Sequence, residues 1–186
     1  MKWALSGKPI LIKYEPEINI PYFEMQQGNK SIKLVGKISK DNPEPLRITL
    51  SNVEFSEINN FIPANLESFG GLLNGQVVVY DLLNQLYFDA ALIANPLVYN
   101  QLDTIGTFSV FSNHDLSTNN TNLEGYIQNE NLDDVLSLSG YINFVDKNEI
   151  DLDLNAPETK AKNFEPFISS LFSDLEGKMA ADLNLN

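Results

Sequence analysis

The sequence predicts a mainly β chain: a long curled sheet, antiparallel or mixed, with one or two short helices. Three observations predict it. Apolar residues recur at every second position over most of the 186 residues, the period of strands with one buried and one wet face. Gly, Asn and Pro cluster between those stretches, as turns require. Only two segments switch to helical spacing.

The elements follow in chain order. Over residues 31–38, Ile32, Leu34, Gly36 and Ile38 share one face, with Lys33 and Lys37 on the other. After a Pro43/Pro45 turn, Leu46, Ile48 and Leu50 alternate with Arg47 and Thr49. Residues 56–69 place Ile58, Phe61, Ile62, Leu66 and Phe69 at helical spacing. Ser56 is the expected N-cap, and Pro63 would bend or shorten the helix. Gly70-Gly71 reads as a turn, and Gly75 opens a strand that carries Val77 and Val79. Leu86, Phe88, Ala90 and Leu92 share a face, as do Leu136, Leu138, Gly140, Ile142 and Phe144. Ile150, Leu152, Leu154 and Ala156 alternate with Asp151, Asp153 and Asn155. Phe164, Phe167, Ile168, Leu171 and Phe172 form a second helical stripe with Pro166 in its first turn. Met179, Ala181, Leu183 and Leu185 close the series. Ten to twelve strands are expected.

Order and offset connect these elements. Asn60-Phe61-Ile62-Pro63 aligns with Asn163-Phe164-Glu165-Pro166, and Gly75 with Gly177, at nearly the same separation. Upstream, the strand with Gly36 aligns with the strand with Gly140, and Leu46, Ile48 and Leu50 with Ile150, Leu152 and Leu154. The chain therefore reads as a single segment, 1–186, of a repetitive β-structure. The approximate repeat is 31–134, with a second partial copy at 135–186.

Charge is uneven. Residues 1–47 hold eight bases and five acids, whereas 48–146 hold twelve acids and no Lys or Arg. The formal charge of -13 disfavours polyphosphates, so no nucleic acid is expected as a partner. Zero Cys excludes a disulfide framework and a thiolate site. No apolar run is long enough to span a membrane as a helix, and residues 1–7 lack a signal-peptide core. The chain is expected to be a piece of something longer.

A sheet of about eleven strands with one apolar face poses a problem that two short helices cannot solve. The sheet must close as a sandwich or barrel, or curl into a trough whose apolar groove stays available. Periodicity alone leaves these open. The groove candidates are Ile32, Leu34, Ile48, Leu50, Val77, Val79, Leu86, Phe88, Leu136, Leu138, Ile150, Leu152 and Leu154. Unpaired strand edges would favour self-association.

The succession Phe164-Glu165-Pro166-Phe167-Ile168, Ser173-Asp174-Leu175-Glu176-Gly177 and Leu72-Leu73-Asn74-Gly75-Gln76-Val77-Val78-Val79, with alternating Asp/Leu strands, resembles the TamB-like translocation and assembly proteins. These belong to the AsmA-like superfamily, and the likeness is to divergent Bacteroidetes-type members. It covers nearly the whole chain and rests on pattern. The resemblance implies a β-taco with a hydrophobic interior, in the periplasmic part of an inner-membrane-anchored envelope protein that reaches a BamA-like outer-membrane barrel. It also implies phospholipid or an outer-membrane protein client as cargo, and no catalytic residue.

The residues that could do other chemistry fall short. Asp151-x-Asp153-x-Asn155 begins like a calcium loop, but Ala156 and Lys162 stand where Gly and Glu are needed. Gly70 and Gly75 have phosphate-loop spacing without the following Lys-Ser/Thr. His114, the only His, is placed in an Asn-rich loop and cannot supply a multi-His metal site. No nucleophile elbow accompanies it. Glu130, Asp133 and Asp134 read as a solvated turn. The expectation is a protein that is not an enzyme and has no cofactor. It would be a conduit segment of an envelope protein whose groove shields acyl chains or unfolded outer-membrane protein strands. The alternative is an acidic extracellular β-sandwich, an adhesin or carbohydrate-binding module with an aromatic strip including Tyr87 and Tyr99.

Overall fold

The computed structural model describes residues 3–6, 17–41, 44–58, 69–83, 87–99, 103–143, 149–160 and 178–185. They form one open antiparallel sheet and one short helix, the mainly β architecture that the alternation demands. The strands are β1 (Ala4–Ser6), β2 (Glu17–Gln27), β3 (Lys30–Ser39) and β4 (Glu44–Glu54). The helix α1 (Phe55–Ile58) follows, then β5 (Phe69–Gly70), β6 (Leu72–Tyr80), β7 (Tyr87–Tyr99) and β8 (Asp103–Asp115). The series ends with β9 (Asn120–Gln128), β10 (Asp134–Asn143), β11 (Glu149–Lys160) and β12 (Lys178–Leu185). Spatial order is chain order, β1-β2-β3-β4-β6-β7-β8-β9-β10-β11-β12, with β5 beside β7. The second helical stripe, at 163–172, lies outside the described residues.

Turn chemistry explains the meander. Gly28, at φ 62°, and Asn29 join β2 to β3 in a two-residue hairpin. Between β8 and β9, Asp115 accepts hydrogen bonds from the Ser117 N–H (2.8 Å) and hydroxyl (2.7 Å), and Asn119 adopts φ 57°. Between β9 and β10, the Asn129 side-chain oxygen accepts from the N–H groups of Asn131 (2.8 Å) and Asp133 (3.0 Å). The abundant Asn and Asp thus replace missing backbone partners at the sheet's ends.

Several local expectations are corrected. Phe69 lies in β5 and not in a helix, and Pro45 lies in β4 and not in a turn. Gly70-Gly71 is no hairpin turn: Gly71 interrupts one strand into β5 and β6, both lying against β7. Ser56 is not the N-cap. The helix starts at Phe55, and the Glu57 side chain accepts the Glu54 N–H (3.1 Å), which makes Glu54 the cap position. His114 sits in β8 and not in a loop.

The sheet bends where its ladders slip, for example between Ile20 and Phe23 on β2 and between Leu50 and Val53 on β4. Strand glycines mark close approaches between neighbouring strands. Gly75 has φ 134° and Gly140 has φ 143°, in the region that L side chains rarely adopt. At both, a Cβ would collide with the backbone of the next strand.

The fully buried core is displaced towards one end of the strands. Phe55, Leu73, Ala94, Leu97, Ile127 and Val135 form its cluster, with Phe69, Phe108 and Leu136 packed against it. The helix folds back over the sheet there, so that Phe55 meets Phe108 edge-on at 6.4 Å although β6 and β7 lie between their strands. Lys30 on β3 fastens it by pairing with Glu54 (2.6 Å) and Glu57 (3.2 Å). That pairing holds the Glu54 carboxyl below its ordinary pKa and raises the Lys30 ammonium.

A candidate apolar binding face

Register turns the alternating pattern into a surface. Direct partners run Leu5, Met25, Ile32, Leu50, Gly75 and Leu92 from β1 to β7. The same row continues through Val110, Gly125, Leu138, Leu154 and Leu183 to β12. Eleven strands therefore contribute nine apolar residues and two glycines to one line, with no polar side chain in it. At about 4.8 Å per strand this line is roughly 48 Å long. A second row joins Phe23, Leu34, Ile48, Val77 and Ala90, then Ser112, Leu123, Gly140, Leu152 and Leu185. Ser112 is its sole polar member.

Of the thirteen groove candidates, Leu86 lies outside the described residues. The register brings the other twelve to one face. Ile32, Leu50, Leu138 and Leu154 stand in the first row, and Leu34, Ile48, Val77 and Leu152 in the second. Val79 pairs with Phe88 and Ile150 with Ile142 at the far end, while Leu136 pairs with Ile127 at the core end. Sequence reasoning missed Phe23, Met25, Leu92 as a row partner, Val110 and Leu123. The slip between Ile20 and Phe23 hides β2, and Ser112 and the outward Phe111 blur β8.

The burial of this face is graded. Leu73 and Ala94 at the core end are fully buried, whereas Met25, Ile32, Leu50, Leu92, Val110, Leu138 and Leu154 are half-buried. Among the described residues no second sheet lies over them. Covering even 300 Å² of such a patch would contribute roughly 7 kcal/mol at ~25 cal/mol per Å², before the entropic cost of association. The face can recognise hydrocarbon by burial, and it offers hardly any hydrogen-bond partner to a polar ligand.

The opposite face is polar, and its acids find unusual partners. Lacking Lys and Arg over 48–146, it pairs carboxylates with phenols. Tyr80 donates to Asp89 (2.7 Å), Tyr126 to Glu124 (3.3 Å) and Tyr141 to Glu149 (2.9 Å). On β2, Tyr22 donates to Glu24, a buried carboxylate that also accepts from Gln26 (2.8 Å) and faces Lys33 at 3.4 Å. These hydrogen bonds raise the phenol pKa at Tyr22, Tyr80 and Tyr141, and the Glu124 charge raises that of Tyr126. The folded state then holds phenolic protons more tightly than the unfolded chain. Stability from these pairs is complete below about pH 10 and is lost as pH rises through the raised values. Urea midpoints measured from pH 8 to 11.5 are expected to hold and then fall. A Tyr80→Phe/Tyr141→Phe variant should fall less steeply; an identical slope would refute the pairing.

Tyr87 stacks on both Tyr80 (5.1 Å) and His114 (4.0 Å), and His114 Nδ1 lies 3.1 Å from the Thr121 hydroxyl. Its ring is thus engaged within the protein. Tyr99 ends β7, and its side chain lies outside the described residues. Among the described residues no cluster of three or more metal-ligating side chains occurs, and no helix is long and apolar enough to cross a membrane.

No family model, curated protein or solved structure matches this chain.

Proposed function

We propose that the chain is a non-enzymatic segment of a TamB/AsmA-like, periplasm-spanning envelope protein, whose apolar face shields lipid acyl chains or unfolded outer-membrane protein strands in transit. The unbroken apolar row from Leu5 to Leu183 carries this reading. A sheet that leaves much of such a row uncovered has a surface suited to an apolar occupant. The parent protein would reach a BamA-like outer-membrane barrel.

Periodicity of the elements supports the segment reading. Lys30–Ser39 and Asp134–Asn143 are each 10 residues long, and both bounds lie 104 apart. Each strand is followed by its antiparallel partner, Glu44–Glu54 or Glu149–Lys160. Gly36 and Gly140 occupy the same place in the two copies, at φ 152° and 143°.

The test is photo-crosslinking. Benzoylphenylalanine at Leu138 and Leu152 should capture radiolabelled phospholipid or an unfolded outer-membrane barrel protein, and the same probe at Asp151 and Asp153 should not. Labelling confined to the two Asp positions would sink the proposal.

A further inference from the structure

On the polar face, three neighbouring strands build a second surface of different chemistry. Tyr80, Val78 and Gln76 on β6 stand directly opposite Tyr87, Asp89 and Ala91 on β7. Ala91 in turn faces Phe111 on β8, and Asn113 follows two residues along. The short Ala91 side chain leaves an open hollow of about 430 Å³ between Gln76, Val78, Asp89 and Asn113. This is within the size of small-ligand sites.

The lining has a consistent character. Gln76 is half-buried, and among the described residues neither its amide nor that of Asn113 has a hydrogen-bond partner. Each amide both donates and accepts. Asp89 accepts from the Tyr80 hydroxyl (2.7 Å) and the His114 N–H (2.8 Å), which fixes its carboxylate and leaves lone pairs for a further donor. Arg47 stands opposite Val78 on β4, so one cation and one anion flank the hollow. Val78 and Ala91 make an apolar floor. Phe111 on β8, 40% exposed, pairs directly with Ala91 and so stands next to the hollow on the same face.

We propose that this hollow binds a neutral carbohydrate. A sugar presents hydroxyls that both donate and accept, matching two free amides and an oriented carboxylate. It also presents an apolar C–H surface, matching Val78, Ala91 and the Phe111 ring. Balanced flanking charge disfavours an anion. Gln76, Val78, Asp89, Ala91 and Asn113 belong to the face opposite the apolar rows, while Ala90 and Ser112 of the second row also line the hollow.

The experiment screens the whole chain against an array of neutral oligosaccharides and follows hits by titration calorimetry. Phe111→Ala and Asn113→Ala remove exposed side chains, and unchanged circular dichroism would show that both variants fold. Each is expected to weaken binding about tenfold, whereas Asn155→Ala, on the same face at β11, should leave it within about twofold. Absence of any neutral glycan hit, or binding that survives both substitutions, would overturn the proposal. So would binding of oligolysine in place of glycan, lost in Asp89→Asn.

Discussion

Gly75→Ala is expected to unfold the chain or to destabilise it by about 4 kcal/mol or more, the range of severe backbone conflicts. Gly75 occupies the centre of the apolar row, at φ 134°, and a Cβ there would stand 2.0 Å from the Ala91 carbonyl oxygen. That oxygen belongs to the paired strand and cannot withdraw without breaking the ladder. Gly125 is the control, because it occupies the same row without the same constraint. Its added Cβ would touch the Leu138 Cβ at 3.6 Å, an ordinary contact. Gly125→Ala should be neutral or stabilising by up to roughly 1 kcal/mol, through reduced freedom of the unfolded chain. Urea unfolding followed by circular dichroism measures both. Equal losses in the two variants would show that the close approach to the Ala91 carbonyl does not set the cost.

Phe55→Ala is expected to cost about 3–5 kcal/mol, whereas Leu138→Ala should cost no more than about 2. Phe55 is 8% exposed in the buried cluster that, among the described residues, α1 shares with Leu73, Ala94 and Ile127. Leu138 is half-buried in the open row, so its removal creates less of a sealed cavity. The comparison locates stability at one end of the strands and leaves the middle of the face free for an occupant. Thermal midpoints of the two variants decide it. A Leu138 loss as large as that of Phe55 would mean that the middle of the face is itself a closed core.

Strand identity and facing were legible wherever alternation was clean. Ile150 to Ala156 and Ile32 to Ile38 carry apolar residues at every second position and lie on the expected side. Alternation was silent where the backbone slips. Pro21 and Tyr22 fall in the irregularity of β2, so Ile18 and Ile20 lose phase with Phe23 and Met25 although all four pair with inward positions of β3. The Asn and Asp around His114 read as a loop. In the fold those residues terminate β8 and form the turn beyond it. The row itself was not legible, since register depends on turn lengths and bulges and not on composition. The hollow beside Ala91 was likewise hidden: Gln76, Asp89 and Asn113 are remote in sequence, and only the pairing of β6, β7 and β8 assembles them.

Because spatial order follows chain order from β1 to β12, the two ends of the described chain lie on opposite edges of the sheet. Tension applied between them acts across the hydrogen bonds and loads only the outermost pair at any moment. The molecule should therefore unzip strand by strand at low force, as nearest-neighbour structures do, instead of resisting as a unit. Each released strand with its turn, about a dozen residues, would add roughly 40 Å of length. A stretch of such sheet held between two anchored points could pay out slack from either edge and rewind when the pull relaxes.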